Sequence, residues 1–167
     1  MSDSAESRIG EAAWKKIRLL TVLMLAAPAL YVALGGVFLA TGRLARLARL
    51  DERVSDVVFF ALVAASVLQF LLAVTLRRSM LRESRVVQSF RSVGHVAQHC
   101  TQVYLLSFAL CQGAAVMGLV YFLISGNLRR LVLLAGASVL FLLVLLPSRL
   151  KLETLMRAVG RREATEG

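Results

Sequence analysis

Four long apolar segments, each free of Asp, Glu, Lys and Arg, occupy more than half of the 167 residues of the chain. They are residues 19–41, 57–76, 101–128 and 131–148. A helix that crosses the hydrocarbon core of a bilayer needs roughly 20 apolar residues, and each segment reaches or approaches that length. The pattern therefore predicts an all-α, polytopic membrane protein with four transmembrane helices in a bundle.

The composition predicts a single membrane domain. Hydrophobic residues make up 58% of the chain and its mean hydropathy is +0.73, well above the average for soluble domains. We divide the chain into a cytoplasmic N-terminal segment at residues 1–18, a transmembrane domain at 19–148 and a cytoplasmic C-terminal tail at 149–167. No cofactor is expected, because no known cofactor motif occurs in the sequence.

The net charge of +10 comes from basic residues that flank the apolar segments. They form no single patch with interleaved aromatic residues, so nucleic-acid binding is not expected. Fourteen of the 20 Lys and Arg residues lie on the side that holds both termini, and six lie on the opposite side. The positive-inside rule therefore predicts that both termini are cytoplasmic.

The connector after the second segment has the pattern of a helix. Residues 77–99 contain no Pro, and their apolar positions recur at roughly helical spacing. We therefore predict a long cytoplasmic extension of helix 2 that turns near residues 92–94. Arginines of this extension and of the tail are expected to contact lipid headgroups, namely Arg77, Arg78, Arg82, Arg85 and Arg149. The connector at 43–53 repeats Arg-Leu-Ala, which fits either an interfacial amphipathic helix or a solvated link.

The third segment carries a stripe of small residues on one helical face. The stripe consists of Ser107, Cys111, Ala114 and Gly118. Small side chains let a neighbouring transmembrane helix approach closely, so the stripe is predicted to be a helix-packing surface.

Two glutamines lie deep inside the segments, away from their ends. Gln112 is expected near the bilayer midplane, with Gln69 at a similar depth. An unpaired amide in hydrocarbon is costly, so each should find a hydrogen-bond partner, which could be the other glutamine. The alternative is that the two amides belong to a substrate path or to the remnant of an ion site.

Metal binding and catalysis find little support in the sequence. His95 and His99 are four residues apart and Cys100 is adjacent, a spacing that could hold a metal, but no further ligands lie nearby. Packing at the cytoplasmic interface is the preferred interpretation of these residues. A Ser or Cys nucleophile would need a positioned base, and no His, Asp or Glu lies in the four apolar segments. The chain is therefore not expected to be an enzyme.

Residues 108–120, with the sequence FALCQGAAVMGLV, resemble the second helix of subunit c from rotary ATP synthases. That family reads approximately Ala-Leu-x-Glu-Ala-x-Ala-Ile-x-Gly-Leu-Val at this point. The ion-binding carboxylate of the family is replaced by Gln112, and the preceding segment lacks the repeated glycines of the family. The chain also resembles uncharacterised four-span bacterial membrane proteins with this helix signature. These resemblances imply a location in the bacterial cytoplasmic (inner) membrane and a related fold, without rotary activity.

Two functions remain open. The preferred one is a structural or assembly component of a membrane complex, which associates with itself or with another membrane protein in the lipid bilayer. The alternative is a subunit of a transporter or channel. In that case the polar route would be lined by Gln69, Gln112, Thr75 and Thr101.

Overall fold

The computed structural model describes residues 3–41, 51–82, 86, 89–90 and 92–166. Within these residues the fold consists of five α-helices and no strand. The helices are α1 (Asp3–Ala40), α2 (Glu52–Met80), α3 (Val93–Ser125), α4 (Leu128–Val144) and α5 (Arg149–Glu166). The all-α class is confirmed. Most of the connector at 43–53, and Arg85, lie outside the described residues.

Three helices are each long and apolar enough to cross a membrane. They are Arg8–Ala40, Arg53–Met80 and Val93–Ser125. The fourth apolar segment passes the same test only as a bent pair, in which α4 and α5 meet at an angle of 44°. The described residues therefore hold three candidate spans, or four if the bent pair counts as one. An all-helical fold with several candidate membrane spans is confirmed in the described residues, and the four-span bundle stays a prediction.

The first helix begins far ahead of its apolar segment. α1 starts at Asp3, so the predicted N-terminal segment is helical and continuous with the first span. Its polar turns carry an i,i+4 ion pair between Lys15 and Glu11, 3.3 Å apart, a pairing that favours helix. The helix also continues through Pro28 without interruption.

The second helix ends at Met80, where the Leu81 N–H donates to the Arg77 carbonyl at 3.0 Å. The predicted long extension of helix 2 is therefore not confirmed. Helical hydrogen bonds recur further along, since the N–H of Val86 donates to the carbonyl of Arg82 and the N–H of Phe90 to that of Val86, both at 3.1 Å. α3 then begins at Val93 after extended backbone at Ser92.

The third helix is the centre of the fold. α3 packs extensively against α1, α2 and α4, whereas α1 and α2 scarcely contact each other in the described residues. At its end Gly126 adopts a left-handed conformation with φ +70°, and its N–H donates to the Phe122 carbonyl at 2.7 Å. Glycine takes this conformation without a steric cost. The chain can therefore reverse at once into α4, whose first turn is capped by the Asn127 side chain.

The last helix folds back onto the N-terminal ends of α1 and α3. Its buried residues are Leu152, Leu155, Met156 and Val159. They join a hydrophobic cluster that includes Ile17 of α1 and Val96 and Cys100 of α3. The predicted C-terminal tail is therefore helical, and its apolar side packs on the protein.

Candidate functional site

The small-residue stripe of α3 is buried under α4. Ser107, Cys111 and Ala114 are each no more than 2% exposed, and the Ser138 hydroxyl of α4 donates to the Cys111 carbonyl at 2.9 Å. A Cβ added at Gly118 would lie 2.9 Å from Cβ of Leu134. The predicted packing surface is therefore occupied within the chain, by α4, and is not open to a partner.

The Gln112 amide joins α3 to α1. Its Nε2 donates to the Met24 carbonyl, and the residue is 7% exposed. Its carbonyl oxygen Oε1 is buried without a hydrogen-bond partner in the described residues. Gln112 therefore makes the interhelical hydrogen bond that the sequence predicted, through the nitrogen of its amide and not through the oxygen.

The Gln69 amide of α2 lies against the backbone of α3 at Gly113. A Cβ added at Gly113 would lie 2.9 Å from the Gln69 amide carbon. Oε1 of Gln69 is also buried without a partner in the described part of the chain. Since neither amide oxygen accepts a hydrogen bond, Gln69 and Gln112 do not bond to each other. Of the partners that the sequence left open, Gln112 therefore bonds to the backbone of α1 and not to Gln69.

The hydroxyls proposed for a polar route bond within their own helices. The Thr75 hydroxyl donates to the Leu71 carbonyl at 2.7 Å, and the Thr101 hydroxyl donates to the Ala97 carbonyl at 2.9 Å. Thr75 faces outward from α2. Each hydroxyl is thus satisfied by the preceding helical turn, and neither is joined to the Gln112 amide.

Arg77 is half-buried and bonds to the backbone of the protein. Its guanidinium donates to the carbonyl of Leu145 and, at 3.0 Å, to that of Leu146, where the helix breaks between α4 and α5. It also lies 4.8 Å from the ring centre of Tyr104. The carbonyls at the end of α4 lack helical partners, so Arg77 caps this helix. Contact between Arg77 and a lipid headgroup stays a prediction.

The other predicted headgroup arginines differ in their surroundings. Arg78 and Arg82 are exposed. Arg149 is exposed but pairs with Glu153 in its own helix, with Nε 2.8 Å from the carboxylate. Arg85 lies outside the described residues. Lipid contact therefore stays a prediction for Arg78 and Arg82.

A polar cluster that the sequence analysis missed joins three helices. Arg130 of α4 bonds to the Asp56 carboxylate of α2 and to the Tyr121 hydroxyl of α3. It also donates to the Ser55 hydroxyl at 3.3 Å, and its guanidinium lies 4.9 Å from the ring centre of Phe59. We call these five residues the Arg130 cluster. The predicted topology offered a signal, since it placed Asp56 and Arg130 on the same side of the membrane.

The histidines lie at the opposite end of α3 from this cluster. His99 Nε2 is 3.3 Å from the Met80 carbonyl oxygen, and its ring lies 4.8 Å from that of Phe90. A cavity of about 170 Å³ adjoins it, lined also by Val86 and Ser89. Nowhere in the described residues do three His, Cys, Asp or Glu side chains group as a metal site. His99 therefore takes part in packing.

Comparison with known proteins gives no family or fold assignment. No protein family, no curated protein and no solved structure matches this chain. The resemblance to subunit c covers only about residues 101–124 and stays a prediction.

Proposed function

We propose that this chain is a non-enzymatic integral membrane protein that serves as a structural or assembly component of a membrane complex. The observation that carries the proposal is the way in which the hydroxyls of the spans are used. Four hydroxyls donate to a carbonyl of their own helix, namely those of Ser66, Thr75, Thr101 and Ser107. The Ser138 hydroxyl donates to a carbonyl of α3. These hydroxyls are satisfied by backbone carbonyls within the protein, whereas a transport route needs polar groups that face a shared opening.

The outward surface of α1 and α2 supports the same proposal. Large apolar side chains are exposed along both helices, among them Leu19, Leu23, Leu30, Val57, Phe60 and Leu68. Exposed apolar surface of this extent is stable against lipid tails or against another membrane protein. We further propose the bacterial cytoplasmic membrane as the location, on the basis of the resemblance described above. The basic residues that flank the spans support an orientation with both termini in the cytoplasm.

A transporter or channel subunit is the second candidate. It is favoured by one observation, the two unpartnered oxygens of Gln69 and Gln112 inside the spans. Acceptors of this kind could face a passing donor. Neither amide titrates at physiological pH, however, so a proton route would need another group.

The two candidates are separated by purification and reconstitution. The protein, extracted from its native membrane in mild detergent, should co-purify at fixed stoichiometry with itself or with another membrane protein. The same protein in liposomes should not dissipate an imposed pH gradient, nor should Gln112→Leu change the leak. A monomer without any partner would contradict the assembly proposal, and a leak that Gln112→Leu abolishes would establish the transport alternative.

A further inference from the structure

One face of α3 is exposed along most of the helix. Its residues include Leu105, Leu106, Val116, Val120 and Ile124, which are 41–51% exposed. At 100° per residue these positions fall on one side of the helix, with Gly113 at the centre of that side. From Leu105 to Ile124 the face is about 28 Å long at 1.5 Å per residue, close to the thickness of the hydrocarbon core.

Two helices border this face without covering it. On one edge Gln112 bonds to Met24 of α1, and on the other edge Met117 contacts Ser66 of α2, with 4.0 Å between sulfur and hydroxyl oxygen. Since α1 and α2 scarcely touch each other, they leave this face of α3 open between them. We call it the α1–α2 groove. α4 lies on the opposite side of α3, where it covers Cys111 and Gly118.

From Leu105 to Ile124 the exposed residues of this face of α3 are apolar, and one amide of α2 lies across it. Gln69 extends from α2 onto Gly113, where a side chain on α3 would collide with it. Its oxygen is buried without a partner, and its nitrogen makes no hydrogen bond to any described residue. An amide with neither donor nor acceptor satisfied is costly in hydrocarbon, and lipid tails offer no hydrogen-bonding group.

We propose that the α1–α2 groove is the surface on which a second copy of this chain docks, with the two Gln69 amides hydrogen-bonded to each other. This rests on the proposed assembly function and names the surface and the partner. An amide carries both donors and an acceptor, so the simplest complement of Gln69 is an identical amide. Two copies with the same membrane orientation, related by a two-fold axis along the membrane normal, bring Gln69 to the same depth.

The geometry of glutamine allows this exchange. Its terminal torsion is broad and roughly two-fold, so the amide can turn its oxygen away from Gly113 toward a partner. Interhelical hydrogen bonds of this kind contribute about 0.6 kcal/mol on average and up to about 1.7 kcal/mol in membranes. These values correspond to roughly a three- to twentyfold change in the dissociation constant.

The test measures self-association in liposomes by energy transfer between labelled copies as the protein is diluted with lipid. Wild type should form dimers. Gln69→Leu should raise the dissociation constant roughly three- to twentyfold. Val116→Trp should abolish the dimer by filling the groove. Leu133→Trp is the matched control, because Leu133 is 63% exposed on α4, away from the groove, and this variant should dimerise like wild type.

The outcomes separate this proposal from the assembly function itself. A monomeric wild type that binds a different membrane protein would overturn the second copy as occupant and leave the assembly function standing. A dimer weakened by Leu133→Trp but by neither groove variant would also overturn it, since the interface would then lie on α4. Helicity and thermal unfolding in dilute micelles identify any variant that fails to fold. If Val116→Trp fails to fold, the dissociation constant of Gln69→Leu alone tests the proposal.

Discussion

Gly118→Ala tests the close contact between α3 and α4 with the smallest change that the chain allows. The added Cβ would lie 2.9 Å from Cβ of Leu134 and 3.5 Å from the Leu131 carbonyl oxygen. Carbon atoms in contact normally lie about 3.5–4.0 Å apart. Neither neighbour is the free end of a flexible side chain, so the helices themselves must separate to relieve the clash.

The magnitude follows from two opposing effects. Replacing Gly by Ala inside a helix stabilises it by about 0.8–1.0 kcal/mol through propensity, and overpacking a close contact costs about 1–3 kcal/mol. Gly136→Ala is the matched control, because nothing lies within 4 Å of a Cβ at Gly136 of α4. Both variants gain the propensity, so the free energy of unfolding should be lower for Gly118→Ala than for Gly136→Ala by about 1–3 kcal/mol.

The assay is unfolding of the purified protein in mixed micelles of a mild detergent and increasing SDS, followed by loss of helicity and tyrosine fluorescence. Wild type should lie between the two variants or close to Gly118→Ala. Equal free energies of unfolding for Gly118→Ala and Gly136→Ala would refute the inference that α3 and α4 are in backbone-close contact at Gly118.

Two further predictions concern the outer side of the proposed topology. Reporters fused after Gly42 and after Gly126 should both give the outside signal, and an inside signal at either position would contradict the orientation. The losses in free energy of unfolding caused by Arg130→Ala and Asp56→Asn should not add up in the double variant. The coupling should be about 0.5–1 kcal/mol, because the ion pair is partly exposed. Strict additivity would mean that the ion pair does not form in solution.

The apolar spans could be predicted from the sequence because the hydrophobicity of these segments outweighs every other contribution to where they lie. A run of about 20 uncharged apolar residues has few stable locations other than a bilayer. The ends of the helices could not be predicted in the same way. α1 begins at Asp3 and α3 at Val93, since the polar residues outside the apolar segments are also compatible with helix, and hydropathy does not distinguish helix from loop there.

The small-residue stripe and the two glutamines could be predicted as residues but not in their pairings, and the Arg130 cluster was not predicted. The small-residue stripe of α3 is indeed buried, but periodicity cannot say which helix covers it, and α4 does so through Ser138. Arg77 was predicted to face lipid because arginines beside spans usually do. The carbonyls at the end of α4 that it caps become visible only once the break between α4 and α5 is known.

The sequence also left open whether Gln112 is a packing residue or part of an ion site. A single substitution distinguishes the two roles. Gln112 donates an N–H to the Met24 carbonyl, and an ionised carboxylate has no hydrogen to donate. Only the protonated acid of Gln112→Glu could replace the bond. This variant should therefore be stabilised at low pH and lose stability as pH rises through the titration of the new carboxyl.

Gln112→Leu is the control for this prediction. It removes the hydrogen bond at every pH, so its stability should differ from that of wild type by a constant amount. Unfolding in mixed micelles at about pH 5 and about pH 8 brackets the range in which a buried carboxyl titrates. If Gln112→Glu followed the pH dependence of wild type, the bond to Met24 would not matter, and the position would be free for the role that the carboxylate plays in subunit c.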